Sequence, residues 1–185
     1  MSSLESIAKD LEPLTASGHP PLHLWQPKNH GEIDIVIQHD GSWLHEGGLI
    51  KREALVKLFS GVLWFEEGQH YLKTPVEQLK ITVETTPFLM TQLTVQNPQT
   101  DAQTLAFTSS YGDVVVLGEG NKLWLDQSVI PGQEVPLVEV RYGMAGRLTS
   151  SILHELADLG EVISDTNGDF LRLNSSHYQF DLPIV

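Results

Sequence analysis

The stretch DGSWLHEGGLIKREALVKLF, residues 40–59, combines the residue types that catalytic and binding loops use. The adjacent pair His45 and Glu46 stands there, followed by two glycines, the cationic Lys51 and Arg52 and an apolar helical pattern. An imidazole or a carboxylate works as a general acid or base when a cleft shifts its pKa. Neighbouring residues of a strand point to opposite faces, so we expect His45 and Glu46 not to share one site, with His45 the first candidate. The alternative is that both are solvated hairpin residues.

Arg52 falls inside the apolar arc of the helix predicted from about Lys51, together with Phe59 and Leu63. A guanidinium is always charged, so on the core side it requires a carboxylate or carbonyl groups. Glu77 is the expected partner, because the strand that carries it is expected to lie beside this helix. An anion-binding cleft around Arg52 is the alternative.

The segment GMAGRLTSS, residues 143–151, opens a second predicted helix. A helix N-terminus favours anions, and Arg141 and Arg147 would strengthen a weak anion site there. The glycines lack the strand-to-helix context and the Lys-Ser/Thr pair of a phosphate loop. No serine stands in a nucleophile elbow, so a hydrolase triad is not predicted.

HELAD, residues 154–158, is similar to the first half of a zinc-binding helix motif, but its second ligand would be Asp158. A helical wheel places His154 and Asp158 away from the apolar side that Ile152 and Leu156 define. Five histidines cluster near the start of the chain at spacings that fit no standard ligand set, namely His19, His23, His30, His39 and His45. Without cysteine there is no thiolate ligand. We expect no metal and no cofactor.

Strands must position these residues. Ile33, Ile35 and Ile37 alternate with Asp34, Val36 and Gln38, which predicts a strand from Gly31. Asp40-Gly41 then predicts a hairpin through a type I′ turn, with residues 42–46 as the returning strand. Ahead of them, residues 4–12 form a predicted short helix with Ser3 as N-cap and Pro13 as terminator. A proline-rich lead-in follows, in which Leu22, Leu24 and Trp25 are available to pack.

The middle of the chain predicts an antiparallel meander, and the tail repeats the order strand, glycine turn, helix, turn, strand. Placing Leu148 under Ile50 gives an offset of 98 (148 − 50), which aligns the two helices. We therefore predict an internal duplication. The expected fold is α+β, with two similar units that each combine an antiparallel sheet or partial barrel with one helix. The expected segments are a lead-in over residues 1–30, a first unit over 31–97 and a second over 98–185.

Composition excludes several classes of protein. The formal charge is −13, from 11 Lys and Arg against 24 Asp and Glu, and Lys51-Arg52 is the sole cationic pair. Nucleic acid and anionic membranes are therefore not expected partners. The N-terminal residues do not have the pattern of a secretory signal, and no stretch reaches about 20 apolar residues, so we expect a cytoplasmic protein.

Several blocks occur together in one order: HLWQPKNHGEIDIVIQHDGSWLHEGGLIKREALVKLFSGVLW, HYLKTPVEQLKITVETTPF, LAFTSSYGD and VEVRYGMAGRLTSSILHELADLGE. From about Pro21 to the C-terminus the chain resembles an uncharacterised proteobacterial family, domain of unknown function 1285. The resemblance implies two similar α+β halves, no established enzyme activity and a signalling or ligand-sensing role. Thr85-Thr86 stands where the resemblance leads us to expect an acidic residue.

The leading functional hypothesis is a binding module that takes a small ligand or a protein partner in a groove between its halves. Its expected site residues are His45, Arg52, Glu77, Arg141 and Arg147. The chain is expected to be a monomer or a weak homodimer. The alternative is an enzyme of unknown type with a His/carboxylate site in the same groove. A winged-helix nucleic-acid reader is disfavoured, because strands stand where its supporting helix should be and no basic face is present.

Overall fold

The computed structural model describes residues 4, 7–9, 11, 19–166 and 168–184. The chain divides into two compact units, Met1–Thr85 and Thr86–Val185, called here the N-terminal and C-terminal units. Within the described residues, no helix combines the length and apolar character that crossing a bilayer requires. The described residues near the start, 4, 7–9 and 11, are helical, as predicted; Ser3 and Pro13, assigned as cap and terminator, lie outside the described residues.

The N-terminal unit is one sheet with a single described α-helix beyond residue 19. Its elements are β1 (Asn29–Ile37), β2 (Trp43–His45), β3 (Gly48–Leu49), α1 (Glu53–Ser60), β4 (Leu63–Glu66), β5 (Gln69–Lys73) and β6 (Glu77–Val83), after a 3₁₀ turn at Leu22–Leu24. The strand order is β3-β2-β1-β6-β5-β4. All neighbours are antiparallel except β1 and β6, which run parallel.

Tight turns set the registers of this sheet. The hairpin predicted at Asp40-Gly41 is present, but its turn is not type I′. Gly41 N–H donates to Gln38 O at 3.0 Å and Gln38 N–H to Ser42 O at 2.9 Å. Only Gly41 of the Asp40-Gly41 pair has positive φ, at 85°. This is a type I turn followed by a left-handed glycine that forms a bulge, a three-residue loop.

Two type I′ turns follow in the same unit. Glu46-Gly47 has φ values of 49° and 74° and joins β2 to β3, and Glu67-Gly68 has 50° and 76° and joins β4 to β5. Positive φ at both central positions matches the twist of paired strands. The returning strand predicted over residues 42–46 is therefore shorter, Trp43–His45, and ends at the first of these turns.

The core of the N-terminal unit is the apolar side of β1 with the side chains that α1 and β2 bring to it. Ile35 and Ile37 are buried, and the rings of Trp43 and Phe59 stack with centroids 6.4 Å apart. In the lead-in, Leu22 is fully buried whereas Leu24 is 68% exposed, so one of the two leucines packs as expected.

The C-terminal unit contains two sheets and one α-helix in its described part. Its elements are β7 (Phe88–Gln96), β8 (Thr104–Ser109), β9 (Val114–Val116), β10 (Leu123–Ile130), β11 (Gln133–Arg141), β12 (Met144–Leu148), α2 (Ser150–Leu159), β13 (Glu161–Asp165), β14 (Gly168–Ser175) and β15 (Tyr178–Pro183). The order β10-β11-β12-β7-β8-β9 forms one sheet and β13-β14-β15 the other. Ser175 joins them, since its Oγ donates to Leu117 O at 2.8 Å and accepts from Leu105 N–H at 3.0 Å.

The repeated order of elements is confirmed. In each unit a type I′ turn (Glu46-Gly47, Tyr142-Gly143) connects a hairpin whose second strand leads into a helix, and an antiparallel three-stranded run follows. The hydrogen bonding differs. The three strands after α1 join β1 through the parallel β1–β6 pair, whereas those after α2 form their own sheet and β12 pairs in parallel with β7.

Two expectations need correction. The main sheets are mixed rather than antiparallel, and strands greatly outweigh helices in the described residues, so α+β is a loose description. The units divide after Thr85 rather than after residue 97, because β7 pairs with β8 and β12 of the C-terminal unit.

Candidate functional site

An open cavity of about 500 Å³ lies in the N-terminal unit, on the first half of β1. Its lining comes from β1, from the β2–β3 turn and from the start of β6. The lining residues are Asn29, His30, Gly31, Glu32, Ile33, Asp34, His45, Glu46, Glu77 and Leu79. Cavities of this size accommodate small ligands or a few residues of a peptide.

Unequal strand lengths create this cavity. β1 spans residues 29–37, but β2 pairs with it only from Ile35, which stands opposite His45. On its other side β1 pairs with β6 from its first residue, Asn29 opposite Glu77. The β2 side of residues 29–34 is therefore open, and the Glu46-Gly47 turn closes one end of that space.

The floor of the cavity depends on a glycine. Gly31 stands opposite Leu79 in the parallel register, and a Cβ at residue 31 would lie 3.2 Å from Leu79 Cδ2. Alternate residues of a strand share a face, so Glu77 lies on the same side of β6 as Leu79. Glu77 is half-buried there and Leu79 is buried, which gives the cavity a small apolar floor beside a carboxylate.

The lining is acidic. Its residues include the acidic Glu32, Asp34, Glu46 and Glu77 and the histidines His30 and His45, while no Lys or Arg is among these ten described residues. Successive strand residues point to opposite faces, so the Glu32 side chain lies on the other face of the sheet from Glu77. Carboxylates accept hydrogen bonds and attract cations, so the surface suits a positively charged group. Among the described residues, no group of three or more His, Asp or Glu side chains has the arrangement of a metal site.

The structure brings two of the sequence-predicted site residues, His45 and Glu77, to the same cavity. The expectation that His45 and Glu46 cannot share a site was wrong. Glu46 is not a strand residue: its φ of 49° belongs to the turn, so the alternation of a strand does not apply to it. Both residues line the cavity.

Arg52 does not face the core. It is exposed, with extended backbone angles (φ −84°, ψ 96°), and α1 begins only at Glu53, so Arg52 caps the helix instead of forming its first turn. The helical wheel therefore does not apply to it. An exposed guanidinium needs no buried carboxylate partner, and the reason for pairing Arg52 with Glu77 disappears.

Arg141 and Arg147 belong to the C-terminal unit. The Arg141 guanidinium forms an ion pair with Asp113 and lies 4.7 Å above the Phe88 ring. The Asp113 carboxylate, in a residue only 5% exposed, also accepts a hydrogen bond from Ser109 Oγ at 2.9 Å. Arg141 thus stabilises a buried carboxylate.

Arg147 lies in β12 opposite Leu89 and Leu137, and its burial lowers the pKa of the guanidinium. GMAG, expected to open a helix, is instead part of a turn and of β12, and α2 starts after Thr149. The expected anion site at the start of this helix stays a prediction.

Two other histidines, His154 and His70, lie outside the cavity. His154 and Asp158 are exposed on α2 and Ile152 and Leu156 are buried, as the wheel predicts; His154 Nδ1 lies 2.6 Å from Ser150 O. Burial lowers the pKa of His70 to about 4, and its ring lies 4.8 Å from that of Phe65. His70 is not among the residues that line the cavity.

Sequence reasoning missed Asn29, His30, Glu32 and Asp34 as site residues. The predicted strand began at Gly31, because Asn29 and His30 show no alternation with apolar residues. The available signal was a run of polar residues ahead of an alternating strand. Such a run is typical of strand residues that are exposed on both faces.

The fold and site define a two-unit, mostly β protein with an acidic cavity on one strand of its N-terminal unit. Residues 20–86 match the family profile described as domain of unknown function (DUF1285), N-terminal domain, and residues 87–182 match the profile described as protein of unknown function (DUF1285), C-terminal domain. The chain belongs to the DUF1285 family.

Solved structures agree. The crystal structure of a DUF1285 family protein from Silicibacter pomeroyi DSS-3 is 37% identical, with a TM-score of 0.87, over 100% of this chain and 97% of that chain. A DUF1285 family protein from Shewanella baltica OS155 shares the fold at 18% identity and a TM-score of 0.54, over 69% of this chain and 92% of that chain. No curated protein matches the chain.

Proposed function

We propose that this DUF1285 protein is a binding module of the sensing or signalling kind, and that the cavity on β1 takes the cationic part of a small ligand or of a protein partner. The supporting observation is an open space of about 500 Å³ with four acidic residues among the ten that line it. The groove between the halves that the sequence suggests stays a prediction, and this proposal depends on the N-terminal unit alone.

Charge and shape act together here. A net charge of −13 raises the local concentration of cations near the whole surface, but only a concave site with several carboxylates can hold one cation by several contacts. Glu77 is half-buried beside the apolar floor at Leu79, where electrostatic interactions are less screened than in open solvent. A ligand with one or more ammonium or guanidinium groups and a short apolar stem matches both features.

Isothermal titration calorimetry with spermidine, a flexible polyamine, tests the proposal. Each of Glu32→Gln, Glu46→Gln and Glu77→Gln should weaken binding by about two- to fivefold, the range of a partly exposed charge pair. The triple variant should weaken it by about tenfold or more, since the contacts are to one ligand.

Glu67→Gln is the matched control. Glu67 and Glu46 are both exposed, and both occupy the first position of a type I′ turn with nearly the same φ, 50° and 49°. Glu67 is not among the residues that line the cavity. Binding should weaken in Glu67→Gln by much less than in Glu46→Gln, because only the long-range attraction is reduced. An equal loss in Glu46→Gln and Glu67→Gln would mean that spermidine only neutralises the acidic surface, and the proposal would be wrong.

A further inference from the structure

We propose that the open side of β1, residues 29–34, is a docking edge for an extended, Lys- or Arg-rich segment of a partner protein, which adds to the sheet as a strand. This inference deepens the proposed binding function and rests on it. The occupant is defined by two properties of the site, its unpaired backbone and its carboxylates.

The backbone of β1 directs hydrogen-bonding groups at the open side. Asn29 N–H donates to Val76 O at 3.4 Å, which is the β6 side. Successive residues of a strand direct these groups to alternate sides, so those of His30 and Glu32 face the β2 side. Asp34 O follows this alternation, since it accepts from Glu46 N–H at 3.1 Å in the β2–β3 turn.

Within the described part of the chain, no strand pairs with residues 29–34 on that side. The sheet already has a strand, β2, at this lateral position, but β2 has only three residues against the nine of β1. Because Asp34 O is already bonded to Glu46 N–H, the open length is about 16 Å at the rise of a strand, which fits roughly five residues. A segment placed there would continue the line of β2.

The carboxylates specify the kind of segment. His30 and Glu32 lie on one face of β1, whereas the partners on β6, Glu77 and Leu79, lie with Asn29 and Gly31 on the other. A segment beside β1 would meet Glu32 on one face and Glu77 with the apolar Leu79 on the other. Glu32 stands opposite Lys80 of β6, so its face already carries one cation. A lysine or arginine of the segment is therefore best placed on the other face, beside Glu77 and Leu79, because the stem of a basic side chain is itself apolar.

A small cation would satisfy only part of this site. It could pair with the carboxylates, but it would leave the His30 and Glu32 backbone groups to water. An added strand satisfies the backbone and the charges at once, which is how strand-adding recognition obtains affinity and specificity. The competing explanation is that the charges only protect a bare sheet edge from pairing, a common device in natural sheets.

Hydrogen–deuterium exchange on the full chain separates these explanations. The probe is a hexapeptide of alternating lysine and valine, blocked at both ends, and its control is the same peptide with glutamate for lysine. The lysine peptide should slow exchange at the His30 and Glu32 amides by about tenfold or more at saturation, since those N–H groups become hydrogen-bonded. Spermidine should bind without slowing them, and the glutamate peptide should not bind.

Two N-methylated forms of the lysine peptide test the backbone contact directly. One is methylated on the backbone amide nitrogens of its lysines and the other on the backbone amide nitrogens of its valines. Both forms therefore keep every side-chain charge. In an added strand only one of the two sets faces β1, so one form should lose binding by about tenfold and the other much less. Equal affinities of both methylated forms and the parent would overturn the strand-addition proposal.

The variant His30→Pro complements the peptides. Proline removes the N–H that faces the open side and is tolerated at a sheet edge, while the Asn29 bond to Val76 remains. It should weaken the lysine peptide by about three- to tenfold, and weaken spermidine binding by a clearly smaller factor, because only the peptide uses the N–H of residue 30. If spermidine binds the cavity but the peptide gives no protection, the docking proposal alone fails. If neither shows binding that depends on Glu46, the proposed function fails as well.

Discussion

Arg52 and Arg141 differ in their surroundings, so we expect their replacement to change the stability of the protein by different amounts. Arg141 pairs with the buried Asp113 and lies over Phe88, whereas Arg52 is an exposed helix cap. Arg141→Met would leave a buried carboxylate without its cation, and we expect the free energy of unfolding to fall by about 3–5 kcal/mol. Arg52→Met, the matched control, should change it by less than about 0.5 kcal/mol. Urea unfolding measures both.

A second variant separates charge from packing at this site. In Arg141→Met with Asp113→Asn, the buried group is neutral, so much of the lost stability should return. If the double variant is no more stable than Arg141→Met alone, the loss comes from packing on Phe88 and the interpretation of the ion pair is wrong.

Periodicity predicted single residues well only inside regular elements. The wheel placed Ile152 and Leu156 in the core and His154 in solvent, because all three lie within α2. The same reasoning failed for Arg52, one residue before α1, where the backbone is extended. It failed again for Glu46, which lies in a turn and lines the same cavity as His45. Residues at the ends of helices and strands adopt cap and turn geometry, and the spacing of apolar residues does not predict that geometry.

At the scale of elements, the parallel contact between β12 and β7 depends on a residue without a side chain. A Cβ at Gly146 would lie 2.5 Å from Met90 Sδ and 3.2 Å from Val140 Cγ2, and Met90 is fully buried. Gly146→Ala should therefore lower the free energy of unfolding by about 1–3 kcal/mol. Thermal unfolding followed by circular dichroism gives the change.

Shortening the neighbour tests whether the clash is the cause. Met90→Ala alone removes buried volume and should be destabilising, but in this background the added Gly146→Ala should cost much less than in the native protein. Gly118→Ala is a suitable control, because nothing lies within 4 Å of a Cβ at that position. Additive effects of Gly146→Ala and Met90→Ala would contradict the contact.

Residue types and turn signals in the sequence indicate most of the strands and helices, but not which strands pair with each other. Alternating isoleucines predicted β1, and the Asp40-Gly41 pair located a hairpin that the structure contains. The two parallel pairs, β1 with β6 and β12 with β7, were not predicted. Their strands are far apart in sequence, and no turn links them to fix a register. The candidate site lies beside one of these pairs, which is why most of its lining residues were not predicted as site residues.

At the scale of the whole molecule, the offset of 98 located a repeated order of elements that the structure confirms. It did not show that the strands after α1 close onto β1 while those after α2 form a separate sheet. Hydrophobic patterns state which face of an element is buried. They do not state which of several similar strands will cover it, since that choice depends on contacts between distant segments.

The net charge makes a further prediction about the association rate of a basic ligand. With −13 formal charges, the field of the molecule attracts a lysine peptide over a range that salt controls, about 30 Å at 0.01 M and about 8 Å at 0.15 M ionic strength. Steered association is fast and falls with salt, whereas the rate of dissociation depends mainly on close contacts. In stopped-flow fluorescence with the labelled lysine–valine hexapeptide, we expect the association rate constant to fall by about tenfold or more over this range and the dissociation rate constant to change much less.

Glu67→Gln and Glu46→Gln remove the same charge, so they should slow association alike, but only Glu46→Gln should also speed dissociation. A dissociation rate that rises equally in both variants would show that the peptide is held by the surface field and not by the cavity on β1.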